Sequence, residues 1–216
     1  MILITSPKYD DGTEYLSYYS SLILKEINNN NIPVKNFEGK EANRGNVIKF
    51  LQKKNPKTLF INGHGDEKTL YGSHNLLLFS IEDISLLKNK LIYARACSAG
   101  AFLGEKIVEN NNGCFIGYKY PFSFWIDQKH SATPSRDNTA KFYLEPSNEI
   151  MIFIINGRTA QQSHEKSKKM MIENMKKILK LEEKKEPGAM GMLQILWNNF
   201  DGQVLHGNPS ARFEDN

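Results

Sequence analysis

The sequence predicts an α/β protein with a mostly parallel central sheet and helices on both of its faces. Short, nearly continuous apolar runs at Ile2–Ser6, Thr58–Asn62, Leu91–Ala96 and Cys114–Tyr118 have the length and character of buried strands. The segments between them carry apolar residues at helical spacing. Strand and helix alternate through the first half of the chain, which is the rhythm of β-α-β units joined by right-handed crossovers.

The elements follow in order. After the first strand, Glu14–Asn28 places Tyr15, Tyr18, Tyr19, Leu22, Ile23 and Ile27 on one helical face, and the asparagines at 28–31 with Pro33 end it. Pro33–Phe37 reads as a second strand, and Asn43–Lys54 as a helix burying Val47, Ile48 and Leu51. The strand Thr58–Asn62 runs into Gly63-His64-Gly65. Thr69–Tyr71 and Leu76–Phe79 form a small hairpin, and Glu82–Lys88 a short helix. Leu91–Ala96 ends at Cys97-Ser98-Ala99-Gly100, a helix follows over Ala101–Glu109, and Cys114–Tyr118 is the fifth strand.

The second half is less regular. Pro121–Arg136 is an aromatic surface loop near the strand ends. Asn148–Ile155 suits strand or helix, and helix is favoured because Asn156-Gly157 follows as a stop. Thr159 and Gln162 have capping-box spacing and open a helix running to about Leu181. A polar linker at Glu182–Gly188, a helix at Gly191–Asn199 and a strand at Gln203–His206 complete the chain, which is expected to form a single domain over residues 1–216.

Composition narrows the function. A formal charge of +4 is too weak to argue nucleic-acid binding without a concentrated patch. The two cysteines, Cys97 and Cys114, form neither a CxxC pair nor a disulfide scaffold, so a reducing, cytoplasmic setting is expected. The apolar start Met1–Ile4 is short for a signal peptide, and no run approaches a membrane span. Among His74, His130, His164 and His206 no pair has zinc-ligand spacing, and neither an EF-hand loop nor a dinucleotide or P-loop fingerprint appears, so no metal or cofactor is expected.

Two strand ends carry the chemistry. His64 and Cys97 each follow a predicted parallel strand, at the sheet edge where open α/β folds bind ligands. A thiol near its ordinary pKa is only slightly ionised at neutral pH, and an adjacent imidazole can take its proton and later protonate a leaving amine. Cys97 is expected to open a helix whose amides favour the thiolate. The flanking glycines permit a tight turn, and the N–H groups of Gly65 and Cys97 are suited to receive an oxyanion.

The segments Leu59–Gly65 and Leu91–Gly100 together resemble the two motifs of the caspase-like cysteine peptidases of clan CD, in a gingipain-like or CHAT-type form. Phe153–Thr159 before a long helix, and Leu205–Arg212, are similar to the closing parts of CHAT-type domains, with Asn208 in place of the usual Asp. The resemblance runs from Ile2 to Phe213. It implies a caspase-like three-layer α/β/α sandwich, His64 as general base and acid, Cys97 as nucleophile, and a thioester acyl-enzyme hydrolysed by water. It implies no fixed third carboxylate. The expected partners are a protein or peptide substrate and a separate activator protein, and bacterial relatives of this kind serve as regulated effectors. The alternative is an inert caspase-like fold used as an interaction module.

The resemblance also marks substrate-binding positions. Arg95, two residues before Cys97, suits an acidic P1 side chain, whereas Asp10 and Asp11 after the first strand suit a basic one; if these charges meet, a polar P1 is favoured. Read from the residues alone, Tyr118 is a further substrate-binding candidate, the first of an aromatic run that equally suits a docking face or core. Tyr120, Phe122, Phe124 and Trp125 read as a substrate wall, a docking face or core beneath a long loop. The helix carrying Lys166, Lys168, Lys169, Lys176, Lys177 and Lys180 reads as a solvated face rather than a nucleic-acid site, with Met170, Met171, Ile172, Met175, Ile178 and Leu179 as its buried stripe.

Overall fold

The computed structural model describes residues 1–213, so the last three positions of the expected domain lie outside the described residues. Eight strands and seven α-helices follow in the order β1 (Ile2–Ser6), α1 (Asp11–Asn29), β2 (Val34–Glu38), α2 (Arg44–Lys54), β3 (Thr58–Asn62), β4 (Thr69–Tyr71), β5 (Leu77–Ser80), α3 (Ile84–Leu87), β6 (Leu91–Arg95), α4 (Leu103–Val108), β7 (Cys114–Tyr118), α5 (Asn138–Ile155), α6 (Ala160–Glu183), α7 (Ala189–Gly202) and β8 (Gln203–Gly207). The main sheet has the order β2-β1-β3-β6-β7-β8, and β4 pairs with β5 in a separate hairpin. All neighbours in the main sheet are parallel except β7 and β8.

The strand period of two assigns alternate residues to opposite faces. Ile2, Ile4, Phe60, Tyr93 and Ile116 pack under α1, α5, α6 and α7. Leu3, Leu59, Ile61, Ile92 and Phe115 pack against the layer holding α2, α3, α4 and the hairpin. Every residue of β1, β3, β6 and β7 is buried, as strands covered on both faces require. This is a caspase-like three-layer sandwich.

Capping chemistry sets several boundaries. Asp10 caps α1 in a reciprocal box with Thr13, so the helix begins at Asp11 rather than Glu14. The Thr159–Gln162 box opens α6 as its spacing predicts. The largest difference is α5, which begins at Asn138 and contains Pro146. Asp137 caps it through the Thr139 and Ala140 N–H groups. Pro146 cannot bond the Phe142 carbonyl one turn back, and Asn174 Nδ2 of α6 fills that vacancy at 2.9 Å. A neighbouring helix thus satisfies the acceptor that proline leaves open. At α4 the helix starts at Leu103, so Cys97 lies in an irregular turn two residues beyond the end of β6, and the helix N-terminus expected at the thiol starts six residues further on.

Candidate active site

The sheet order reverses direction between β1 and β3: from β1 the chain moves out to β2, then returns to β3 and proceeds the other way. Open α/β sheets bind ligands at such a switch point, outside the carboxyl ends of the strands. Asp10 follows β1 and His64 follows β3, so both overhang this crevice. Their side chains meet, with Asp10 Oδ2 at 2.8 Å from His64 Nε2. Burial works to raise the Asp10 pKa, but bonds from the Thr13 N–H, His64 and the Thr13 hydroxyl outweigh it and hold the carboxyl below its usual range. The Tyr9 ring stands edge-on to the imidazole, with centroids 6.0 Å apart.

β3 and β6 are adjacent and in register through the pair Asn62↔Arg95. Their next residues therefore leave the sheet side by side, bringing His64 and Cys97 to one rim. The two turns touch. A Cβ on Gly65 would stand 2.8 Å from the Cys97 carbonyl oxygen, and one on Gly63, where φ is +150°, would overlap the Tyr71 carbonyl oxygen. Only glycine fits either side of His64 without displacing backbone. Among the described residues, neither the Gly65 nor the Cys97 backbone N–H is bonded to a protein acceptor.

Cys97 is partly buried, and burial pushes its thiol pKa up. Its Sγ–H donates to the Phe122 carbonyl at 3.6 Å, while the bonded partner of His64 is Asp10. The following residue, Ser98, adopts a left-handed φ of +55°, and the turn is held by Ser98 N–H to Tyr120 O at 3.1 Å and Gly100 N–H to Tyr118 O at 2.9 Å.

Burial changes two expected roles, those of Arg95 and Tyr118. Arg95 does not line a pocket: it is fully buried, because alternate residues of β6 face α1 and α5. Its guanidinium donates to Asn62 Oδ1, Asn148 Oδ1, the Leu16 carbonyl and Ser20 Oγ, and lies over the Phe60 ring. Tyr118 is also core rather than a substrate contact, and its hydroxyl bonds Tyr93 and Gln203 beneath the helices. Asp10 is the partner of the imidazole rather than an unpaired pocket charge. Asp11 occupies the exposed first turn of α1. The Asp-x-x-Thr spacing of Asp10 and Thr13, directly after the first strand, was the sequence signal for a carboxylate fixed at this rim.

The aromatic loop divides. Phe122 is buried against Tyr118, and Phe124 packs on Tyr15, whereas Tyr120 and Trp125 are exposed. On α6, Met171, Met175 and Ile178 are buried, but Ile172 and Leu179 face outward, contrary to the expected stripe. Lys166 and Lys168 lie over the rings of Phe153 and Phe200, so part of the basic helix covers aromatic surface. Among the described residues no group of three or more His, Cys, Asp or Glu side chains comes together to hold a metal, and no helix is long and apolar enough to cross a membrane.

The fold and this rim define the class: a caspase-like α/β sandwich presenting a cysteine, a histidine and a carboxylate at the strand ends. Among solved structures, the chain is similar to the complex of Porphyromonas gingivalis RgpB pro- and mature domains, at a TM-score of 0.62 and 12% identity. The match covers 100% of this chain and 48% of that one, so this chain spans about half the length of the solved relative. No family model and no curated protein matches the sequence.

Proposed function

We propose that the chain is a cysteine endopeptidase acting on a protein or peptide substrate through His64 and Cys97. The supporting observation is that two adjacent parallel strands deliver these residues to one rim, where Asp10 already fixes the imidazole. In the reaction, His64 takes the Cys97 proton and the thiolate attacks the scissile carbonyl. The oxyanion is received by the N–H groups of Gly65 and Cys97. The imidazolium then protonates the departing amine, leaving a thioester on Cys97. Water, deprotonated by His64, attacks the thioester, releasing the acid and restoring the thiol. Asp10 keeps the imidazole oriented and supports its charged form, in the manner of a triad's third member.

In this reading the enzyme is a regulated bacterial effector of a reducing, cytoplasmic compartment, switched by a separate activator protein. The RgpB structure, a complex of pro- and mature domains, supports the idea of control by a second polypeptide segment. One observation favours the rival reading of an inert interaction module: the Cys97 thiol is bonded to the Phe122 carbonyl and not to His64.

A mechanism-based thiol probe with a peptidyl group separates the two. Labelling of the native chain that disappears in Cys97→Ala and falls sharply in His64→Ala supports the peptidase. Probe labelling of the folded native chain that persists unchanged in Cys97→Ala refutes the assignment.

A further inference from the structure

The segment from Tyr118 to Trp125 has an unusual mode of attachment. It leaves β7 and runs across the Cys97 turn, bonding it at Ser98 and Gly100. It then places the Phe122 carbonyl against Sγ and buries the Phe122 ring 4.5 Å from that of Tyr118. Beyond Lys119, whose N–H bonds the Gly202 carbonyl, the segment has no sheet partner among the described residues. Its main chain is instead gripped by one side chain. Asn199 of α7, 1% exposed, accepts from the Ser123 N–H at 3.1 Å and donates to the Ser123 carbonyl at 2.6 Å. The Asn199 amide thus does for Ser123 what a neighbouring strand would do. Trp125 then lies against Gly188 and Gly191, so the segment follows α7 from one end to the other.

We propose that this segment is a latch that holds the Cys97 thiol on the Phe122 carbonyl instead of on His64, and that Asn199 is the residue that keeps the latch closed. While Sγ–H is directed at the Phe122 carbonyl its proton is not presented to the imidazole, and nucleophilic attack requires transfer of that proton. Freeing the Phe122 carbonyl from Cys97 leaves the imidazole as the thiol's acceptor. Because the whole segment rests on α7, displacement of that helix opens the latch without touching His64, Asp10 or Cys97. The latch regulates the site of the proposed peptidase, and in that respect rests on it.

The test is the rate at which iodoacetamide alkylates Cys97 at pH 7.5 in the full chain, followed by mass spectrometry. Cys114 serves as the internal reference, since it is fully buried in β7 and reacts only on unfolding. Asn199→Ala is expected to speed Cys97 alkylation roughly tenfold, through access to the sulfur and to the imidazole as its base, with Cys114 protected. Phe122→Ala, which leaves α7 intact, is expected to act in the same direction. If Cys114 becomes labelled in one variant, that variant has unfolded and the other decides. An unchanged Cys97 rate in a variant that keeps Cys114 protected overturns the latch. Faster alkylation without peptide cleavage supports the latch and removes the peptidase. Cleavage by the native chain that Asn199→Ala does not accelerate, with alkylation also unchanged, leaves the peptidase and removes the latch.

Discussion

Asp10 and His64 meet across the crevice between β1 and β3, with Oδ2 and Nε2 2.8 Å apart. The same carboxylate caps α1 through Oδ1, which accepts the Thr13 N–H at 2.7 Å. Asp10→Asn separates these duties, because asparagine caps a helix about as well as aspartate but carries no charge. The expected result is an unchanged thermal midpoint with kcat lowered roughly tenfold or more and KM nearly constant. Because bonds from Thr13 and His64 hold the Asp10 carboxyl below the usual carboxylate range, the stabilisation from those contacts is fully present above the ordinary aspartate pKa. It is lost only as pH falls through the lower folded value. A mutant with native turnover would remove Asp10 from the mechanism.

Arg95 is expected to matter for folding rather than specificity. Arg95→Met strands the Asn62, Asn148, Leu16 and Ser20 acceptors that the guanidinium satisfies in the interior. Unpaired buried polar groups of this kind cost about 1–3 kcal/mol each before relaxation, so a loss of about 3 kcal/mol or more is expected in urea unfolding. A midpoint near that of the native chain would contradict the buried network.

Pro146 and Asn174 are expected to be coupled. Asn174→Ala removes the donor to the Phe142 carbonyl and should cost about 1–3 kcal/mol. In a Pro146→Ala background the helix supplies its own N–H to that carbonyl, and the cost of losing Asn174 should shrink. A double-mutant cycle in denaturant measures the difference. Strict additivity would show that the amide does not compensate for the proline.

His164 is expected to make the fold acid-sensitive. Burial, reinforced by Lys168 and opposed by Glu165, pushes its pKa down to about 4 from 6.5, and its Nδ1 is buried without a hydrogen-bond partner among the described residues. The folded chain keeps the ring neutral where the unfolded chain takes up a proton. Its contribution is therefore complete above about pH 6.5 and drains away as pH falls towards about 4. His164→Leu should retain about 1–2 kcal/mol more stability than the native chain at pH 5, relative to the difference at pH 7. Urea midpoints at the two values measure this, and equal pH dependence in both proteins would refute it.

The strands were the most legible part of the sequence. Thr58–Asn62 and Cys114–Tyr118 occupy the expected residues because a buried parallel strand has little choice but a short apolar run. The first half of α5 was hidden by Pro146, since its acceptance depends on Asn174, a partner supplied by a different helix. His64 and Cys97 were recognisable as strand-end residues. Arg95 misled because the resemblance assigns the position two before Cys97 to the substrate pocket, whereas the alternation of β6 turns its side chain inward. The bond between Cys97 and Phe122 had no sequence signal, because its acceptor is a main-chain carbonyl common to every residue. The grip of Asn199 on Ser123 arises only from tertiary packing.

The antiparallel strand β8 has a consequence for the order of assembly. It closes the open side of β7, and His206 reaches from it to contact the Gly100 carbonyl through Nε2 at 2.7 Å, at the far end of the turn that begins with Cys97. Chains fold from the amino end as they emerge from the ribosome, and β8 is synthesised long after the strands bearing the histidine and the cysteine. The nascent sheet therefore waits with one flank bare, and the sulfur's turn receives its backing only after α5, α6 and α7 have been made.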